Sequence, residues 1–108
     1  MTLNEYQELA MRTAMNTHPY NSTLEYACLG LSGETGEFCD LTKKMLYHGH
    51  TYSRAKLIEE LGDILWYVAY AAKALDVDLD EVAAINVAKL RHRYPDGFSS
   101  QSSINREE

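Results

Sequence analysis

The chain reads as an all-α domain, and three observations carry that reading. Apolar residues recur at three- and four-residue intervals through most of its length, no stretch alternates apolar and polar residues as a half-buried strand would, and helix-capping patterns recur where the apolar segments begin. Thr2-x-x-Glu5 and Ser22-x-x-Glu25 have the capping-box form, Asp78-x-x-Glu81 is a weaker version, and Ser53 can cap a helix starting at Arg54. Four helices are therefore expected, at about 3–16, 23–48, 54–75 and 79–94.

In the first helix Leu3, Tyr6, Leu9, Ala10 and Ala14 form the inward stripe, and His18-Pro19-Tyr20-Asn21 makes a turn after it. The second carries Leu24, Ala27, Leu31, Phe38, Leu41 and Met45 on one face and is closed by Gly49. Leu57, Leu61, Ile64, Val68 and Leu75 form the apolar face of the third, with Glu60, Asp63 and Tyr67 along its edge. In the fourth, Asn86, Lys89 and Arg93 share a face with Leu79, Val82 and Leu90, and Pro95-Asp96-Gly97 ends it. Residues 1–98 are expected to be one domain and 99–108 a polar C-terminal tail, mobile or laid on a neighbouring subunit. Helices this long in 108 residues leave apolar surface for another chain, so the bundle is expected to be completed by homo-oligomerisation, as a dimer or tetramer.

A net charge of −6 argues against a nucleic-acid polymer as partner, because neutralising phosphates needs clustered Lys and Arg. No apolar run approaches the roughly 20 residues of a membrane span, and the first five residues lack the basic and apolar blocks of a signal peptide. Cys28 and Cys39, eleven residues apart on one helix, lie about 16 Å from each other and cannot bridge. They read as small core or interface residues in a reducing compartment, and a cytoplasmic location is expected.

The chemistry is carried by two acidic motifs, Glu34-Thr35-Gly36-Glu37 and Glu60-Leu61-Gly62-Asp63. Carboxylates three residues apart share a helical face, so each pair can grip one cation or two neighbouring ones. Without a cation they repel: at an effective dielectric near 20, two unit charges about 5 Å apart cost roughly 3 kcal/mol. Most such pairs on helices are merely a solvated face. Here Glu34 falls inside an apolar stripe, where a lone carboxylate needs a partner, and magnesium, with Mn2+ able to substitute, is the expected one. Gly30, Gly33 and Gly36 recur every third residue but fit no phosphate-loop spacing, which leaves close approach of a helix or ligand to that backbone, or a strained helix. Beside a magnesium site Lys89 and Arg93, one turn apart, make a clamp for phosphate oxygens; in the absence of the carboxylates a salt bridge from Arg93 and a snorkelling Lys89 would be the favoured explanation. None of the four His follows a Glu by three residues, which argues against a di-iron carboxylate bundle.

Gly33-Glu34-Thr35-Gly36-Glu37, Glu59-Glu60-Leu61-Gly62-Asp63 twenty-one residues later, Asn86-x-x-Lys89 and Arg93-Tyr94-Pro95, in that order, resemble the MazG-like all-α nucleoside triphosphate pyrophosphohydrolases over about residues 24–98. The resemblance implies an oligomeric helical bundle that holds magnesium at Glu34, Glu37, Glu60 and Asp63 and hydrolyses a nucleoside triphosphate to monophosphate and pyrophosphate. Many members begin the first motif with two Glu where this chain has Gly33; its Gly-Glu-x-Gly-Glu form is similar to the dCTP pyrophosphatase branch, in which Tyr67 also has a counterpart. On this reading Glu34 or Glu37 positions or deprotonates the attacking water, Asn86, Lys89 and Arg93 bind substrate, and His18, Tyr20, Trp66 and Tyr67 are candidates for the base pocket. A metal-dependent nucleotide sensor or regulatory subunit without turnover is the alternative, and a purely structural helical oligomer is a third reading.

Overall fold

The computed structural model describes residues 1–14 and 24–106. Among the described residues there are five helices, α1 (Leu3–Met11), α2 (Leu24–Tyr47), α3 (Arg54–Ala74), α4 (Leu79–Arg93) and α5 (Ser100–Ile104), and no strand. The all-α architecture and the four principal helices agree with the sequence reading. A short fifth helix, capped by Ser99 Oγ accepting from the Ser102 amide at 3.0 Å, lies in the segment read as a tail.

Local chemistry sets most of the ends. Thr2 Oγ1 accepts from the Glu5 amide at 3.0 Å, and Ser53 Oγ accepts from the Lys56 amide at 3.3 Å. Gly49, with φ of 72°, takes the chain out of α2 in the left-handed region that glycine occupies without strain. The capping pattern at Ser22 and the turn at His18 lie outside the described residues. α1 is shorter than expected: after Met11 the Thr13 hydroxyl donates to Ala10 O at 2.7 Å, and the amides of Thr13 and Ala14 turn back onto Ala10 O and Met11 O.

The start of α4 is capped from elsewhere in the chain. Asp78 occupies the N-cap position without a side-chain bond, and the free amides are taken by α1: Leu79 N–H donates to Gln7 Oε1 at 3.0 Å and Asp80 N–H to Asn4 Oδ1 at 2.9 Å. Gln7 Nε2 donates in turn to Ala69 O (3.3 Å) and Val77 O (3.2 Å). One buried amide side chain thus ties α1 to the end of α3 and the start of α4. The expected inward stripe of α1 is corrected accordingly, since Gln7 is buried while Leu3 and Leu9 are 38% and 53% exposed. An unpaired backbone amide at the start of α4 costs more than a leucine left at the surface.

α2 and α3 run antiparallel side by side, Tyr26 beside Tyr70 (ring centroids 5.3 Å), Gly30 beneath Tyr67, and Glu34 near Glu60. A Cβ on Gly30 would collide with the Tyr67 ring, whereas nothing lies within 4 Å of the corresponding position on Gly33 or Gly36. Of the three spaced glycines, only Gly30 is therefore explained by helix approach within the protomer. Trp66 stacks on Tyr70 at 5.6 Å, and its indole N–H donates to Ala10 O and Thr13 Oγ1. Among the described residues the core is small: Ala10, Met11, Ala27, Ala69, Tyr70, Ala72 and Leu79. Leu61 and Leu75, expected on the buried face of α3, are 51% and 62% exposed, because the face turned toward α1 is the one bearing Trp66, Ala69 and Tyr70. Both Cys28 and Cys39 are exposed and free. The accessible surface of 8261 Å² compares with about 6,100 Å² for a compact monomer of this mass, and the radius of gyration of 17.0 Å with about 13 Å.

Gly30 and Tyr67 fix how closely α2 and α3 approach. Gly30→Ala is expected to cost about 1–3 kcal/mol through overpacking against Tyr67, outweighing the helix-propensity gain of about 1 kcal/mol. Gly33→Ala, with open space above it, should retain that gain. Urea unfolding of the two variants checks this, and equal stabilisation by both would refute the close approach.

Candidate active site

The antiparallel register of α2 and α3 puts their acidic motifs opposite each other. One carboxylate oxygen from each of Glu34, Glu37 and Glu60 falls in a group within 4.8 Å of one another. Asp63, one turn beyond Glu60, lines the same open cavity of about 350 Å³ as Glu37 and Glu60. Lys44 and Lys56 also line it.

Electrostatics register the crowding. The Glu34 carboxyl is held above the ordinary carboxylate range by burial first and then by the charges of Glu37, Asp63 and Glu60. Glu60 is raised in the same way, by burial and then by Glu37 and Asp63. Glu34 Oε2 and Glu60 Oε2 are both buried without a hydrogen-bond partner. An orphaned carboxylate oxygen from each of two helices, in a cluster of like charges, is what a divalent cation would satisfy. The donor set is all oxygen, which suits magnesium or manganese. With spacings up to 4.8 Å, small side-chain movements would let these carboxylates hold one divalent cation.

Two tyrosines border the acids. Tyr67 packs on Gly30 and edge-on to Trp66 at 4.9 Å; its hydroxyl is raised by burial, by its hydrogen bond with Tyr26, and by the charges of Tyr26, Glu34 and Asp63. Tyr6, read only as part of the stripe of α1, is raised by burial and then by Asp63. Its proximity to an acid fifty-seven residues away has no local sequence signal.

The basic residues of α4 lie elsewhere. Asn86 and Lys89 are exposed and do not line the acidic cavity. Arg93 lines a cleft against Gln101, Ser102 and Asn105 in and just after α5, with its Nε buried and lacking a hydrogen-bond partner. The salt bridge considered for Arg93 is not formed among the described residues. Lys43 and Lys44 both pair with Asp40, at 2.9 and 2.8 Å, and hold its carboxyl down to about 2. Trp66, a base-pocket candidate, already has its indole N–H engaged by α1 and the turn after it. His18 and Tyr20 lie outside the described residues.

The family model for the MazG nucleotide pyrophosphohydrolase domain matches residues 22–98, which contain both acidic motifs and the basic helix. The chain belongs to this family. It is also 40% identical over 87 residues, covering 77% of this chain and 76% of the relative, to the Gene 37 protein of Mycobacterium phage L5. No solved structure matches it. MazG membership makes the chain a nucleotide pyrophosphohydrolase, a hydrolase of a family that is generally divalent-metal dependent, and the acidic cluster of the MazG domain agrees with that dependence. No helix among the described residues is long and apolar enough to cross a membrane.

Raised carboxyl pKa values give the metal-free MazG domain a distinctive pH response. A carboxyl that binds its proton more tightly folded than unfolded adds stability that is fully present below its unfolded value, 4.5 for Glu34 and Glu60, and is lost as pH rises through the folded value. Asp40 acts oppositely, its contribution being present above 3.8 and lost as pH falls toward 2. Thermal melts in chelator should therefore show stability declining as pH rises above about 4.5, and the decline should be smaller in Glu34→Gln, where the raised Glu60 carboxyl remains. A wild-type protein that only gains stability over that range would contradict the crowding.

Proposed function

We propose that the protein hydrolyses a deoxynucleoside triphosphate to the monophosphate and pyrophosphate, with magnesium held by Glu34, Glu37, Glu60 and Asp63. The observation that carries this reading is the pairing of an unsatisfied Glu34 oxygen on α2 with an unsatisfied Glu60 oxygen on α3 within the three-glutamate cluster. When bound, magnesium supplies charge neutralisation of the triphosphate, polarisation of the α-phosphoryl group and a more acidic water. Glu34, with its carboxyl raised above the ordinary range, is suited to accept or position the proton of the attacking water, and Glu37 beside it is the other candidate for that role. Tyr67, its ring confined by Gly30 and Trp66, offers a hydroxyl near Glu34 and Asp63 in preference to a free ring face for stacking a base. The form of the first acidic motif makes dCTP the first substrate to test, and His18 remains a candidate contact to the base.

The placement of α4 favours a site completed by a second copy of the chain. Lys89 and Arg93 are suited to hold outgoing phosphates but do not line the acidic cavity of their own protomer. An excess of about 2,200 Å² of surface over a compact monomer, with Ile58 and Leu61 of α3 and Ile85 of α4 about half exposed or more, fits a chain that buries a further face in a symmetric dimer or tetramer. Asn86, Lys89 and Arg93 of one protomer then face the acids of the other.

Two experiments test these assignments. Hydrolysis in oxygen-18 water should label the monophosphate and leave pyrophosphate unlabelled; diphosphate and orthophosphate products would show attack elsewhere, and nucleotide binding without any product would favour the sensor reading. Glu60→Gln and Lys89→Ala should each depress turnover severely when assayed alone. Mixed and allowed to exchange subunits, they should recover about a quarter of wild-type activity, because half the symmetric dimers then carry one intact site of two. No recovery on mixing would place acid and base in the same protomer.

A further inference from the structure

The ends of α4 and α5 flank a cleft of about 260 Å³ that shares no lining residue with the acidic cavity. His92, Arg93, Gln101, Ser102, Asn105 and Arg106 line it, and among the described residues no carboxylate does, in a chain whose net charge is −6. Basic residues in the last turn of a helix are ordinary, since the dipole favours them there, and that accounts for Arg91 and His92, which are exposed. Arg93 is different. Its Nε is withdrawn from solvent with no hydrogen-bond partner, although Ser102 and Asn105 bring uncommitted polar groups to the same cleft. Ser102 is half-buried and only its main-chain amide is engaged, by Ser99 Oγ; the side chain of Asn105 makes no hydrogen bond among the described residues.

We infer that this cleft is a phosphate-binding site in which Ser102 of α5 and Asn105 just after it act as ligands beside Arg93. A guanidinium, a hydroxyl and a carboxamide bring donors to a space below the roughly 300 Å³ at which sites for larger organic ligands begin, so the ligand is a compact anion. A phosphate group can satisfy Nε and a neighbouring Nη of Arg93 in a fork and still offer oxygens to the hydroxyl and the amide, whereas the two oxygens of a carboxylate are used up by the fork. The negative end of α4 opposes an anion with about half an elementary charge, less than the full charge of Arg93. α5 lies beyond residues 22–98 matched by the family model, so these two contacts add the C-terminal segment to the phosphate-binding surface of the MazG domain. The inference rests on the reading of Arg93 as a residue that holds phosphate and needs neither the metal nor the acids.

Inorganic pyrophosphate in chelator is the probe, because without a divalent cation the acids repel it and the metal-dependent site is silent. By calorimetry at low salt the wild-type protein should bind it, and Ser102→Ala and Asn105→Ala should each weaken binding roughly tenfold, the scale of one hydrogen bond to a charged group. Ser102→Thr should keep most of the affinity, and Ser103→Ala, next to it but outside the cleft lining, should leave it nearly unchanged. The melting temperature of Ser102→Ala should not fall, since the cap of α5 uses its main-chain amide. Nucleotide assays with magnesium locate the source of the phosphate: a raised KM in Ser102→Ala and Asn105→Ala assigns the cleft to the substrate's own phosphates, and an unchanged KM with lost pyrophosphate binding assigns it to a free phosphate ion. No pyrophosphate binding by the wild-type protein, or wild-type affinity in either alanine variant, would overturn the assignment. A protein that binds pyrophosphate through these residues but hydrolyses no nucleotide would refute the reaction and leave the cleft in place.

Discussion

Like charges forced together by the antiparallel contact of α2 and α3 are the constraint on which the rest depends. Glu34 and Glu37 come from one helix and Glu60 and Asp63 from the other, and the register that brings Tyr26 to Tyr70 and Gly30 to Tyr67 also brings these acids face to face. Repulsion across that contact has to be resisted by packing at its far end, where aromatic rings and small residues let the helices close. Gly30 belongs to that device, because any larger residue would hold the helices apart at Tyr67.

The remaining elements brace this pair. Trp66 reaches from α3 to the end of α1, and Gln7 reaches from α1 to the end of α3 and the start of α4. Gln7 also accepts from the Leu79 amide, which has no partner within α4, so losing that side chain leaves a backbone donor at the helix start unsatisfied. What these bonds do not provide is a large core. Among the described residues few large side chains are buried, and much apolar surface on α3 and α4 stays open. A framework that fixes the acids while leaving one face uncovered is consistent with assembly from more than one copy.

The sequence disclosed the acids more fully than the framework. An i, i+3 carboxylate pair is a local pattern, and its intrusion on an apolar stripe already marked Glu34 as a residue in need of a partner. Gly30 stood out only as one of three spaced glycines, because whether another helix passes over a glycine is decided by tertiary packing. Gln7 was invisible for a related reason: a polar residue at a core position is indistinguishable from a surface one until the helix ends that it satisfies are in place. The facing of Tyr6 toward Asp63 likewise depends on how α1 crosses α3. Lys89 and Arg93 were legible as a basic pair, but that they do not line the acidic cavity of the same chain follows from the course of α4 and could not be read from spacing.

The central claim is that the acids of α2 and α3 form one divalent-cation site, and Mn2+ binding followed by electron paramagnetic resonance tests it most directly. Titrating metal-free protein with Mn2+ should suppress the sharp signal of the free aqueous ion in wild type. Glu34→Gln and Glu60→Gln, changed on different helices, should each abolish most of that suppression. Retention of wild-type Mn2+ binding by either variant would contradict a shared site and with it the account of why these two helices hold their acids together.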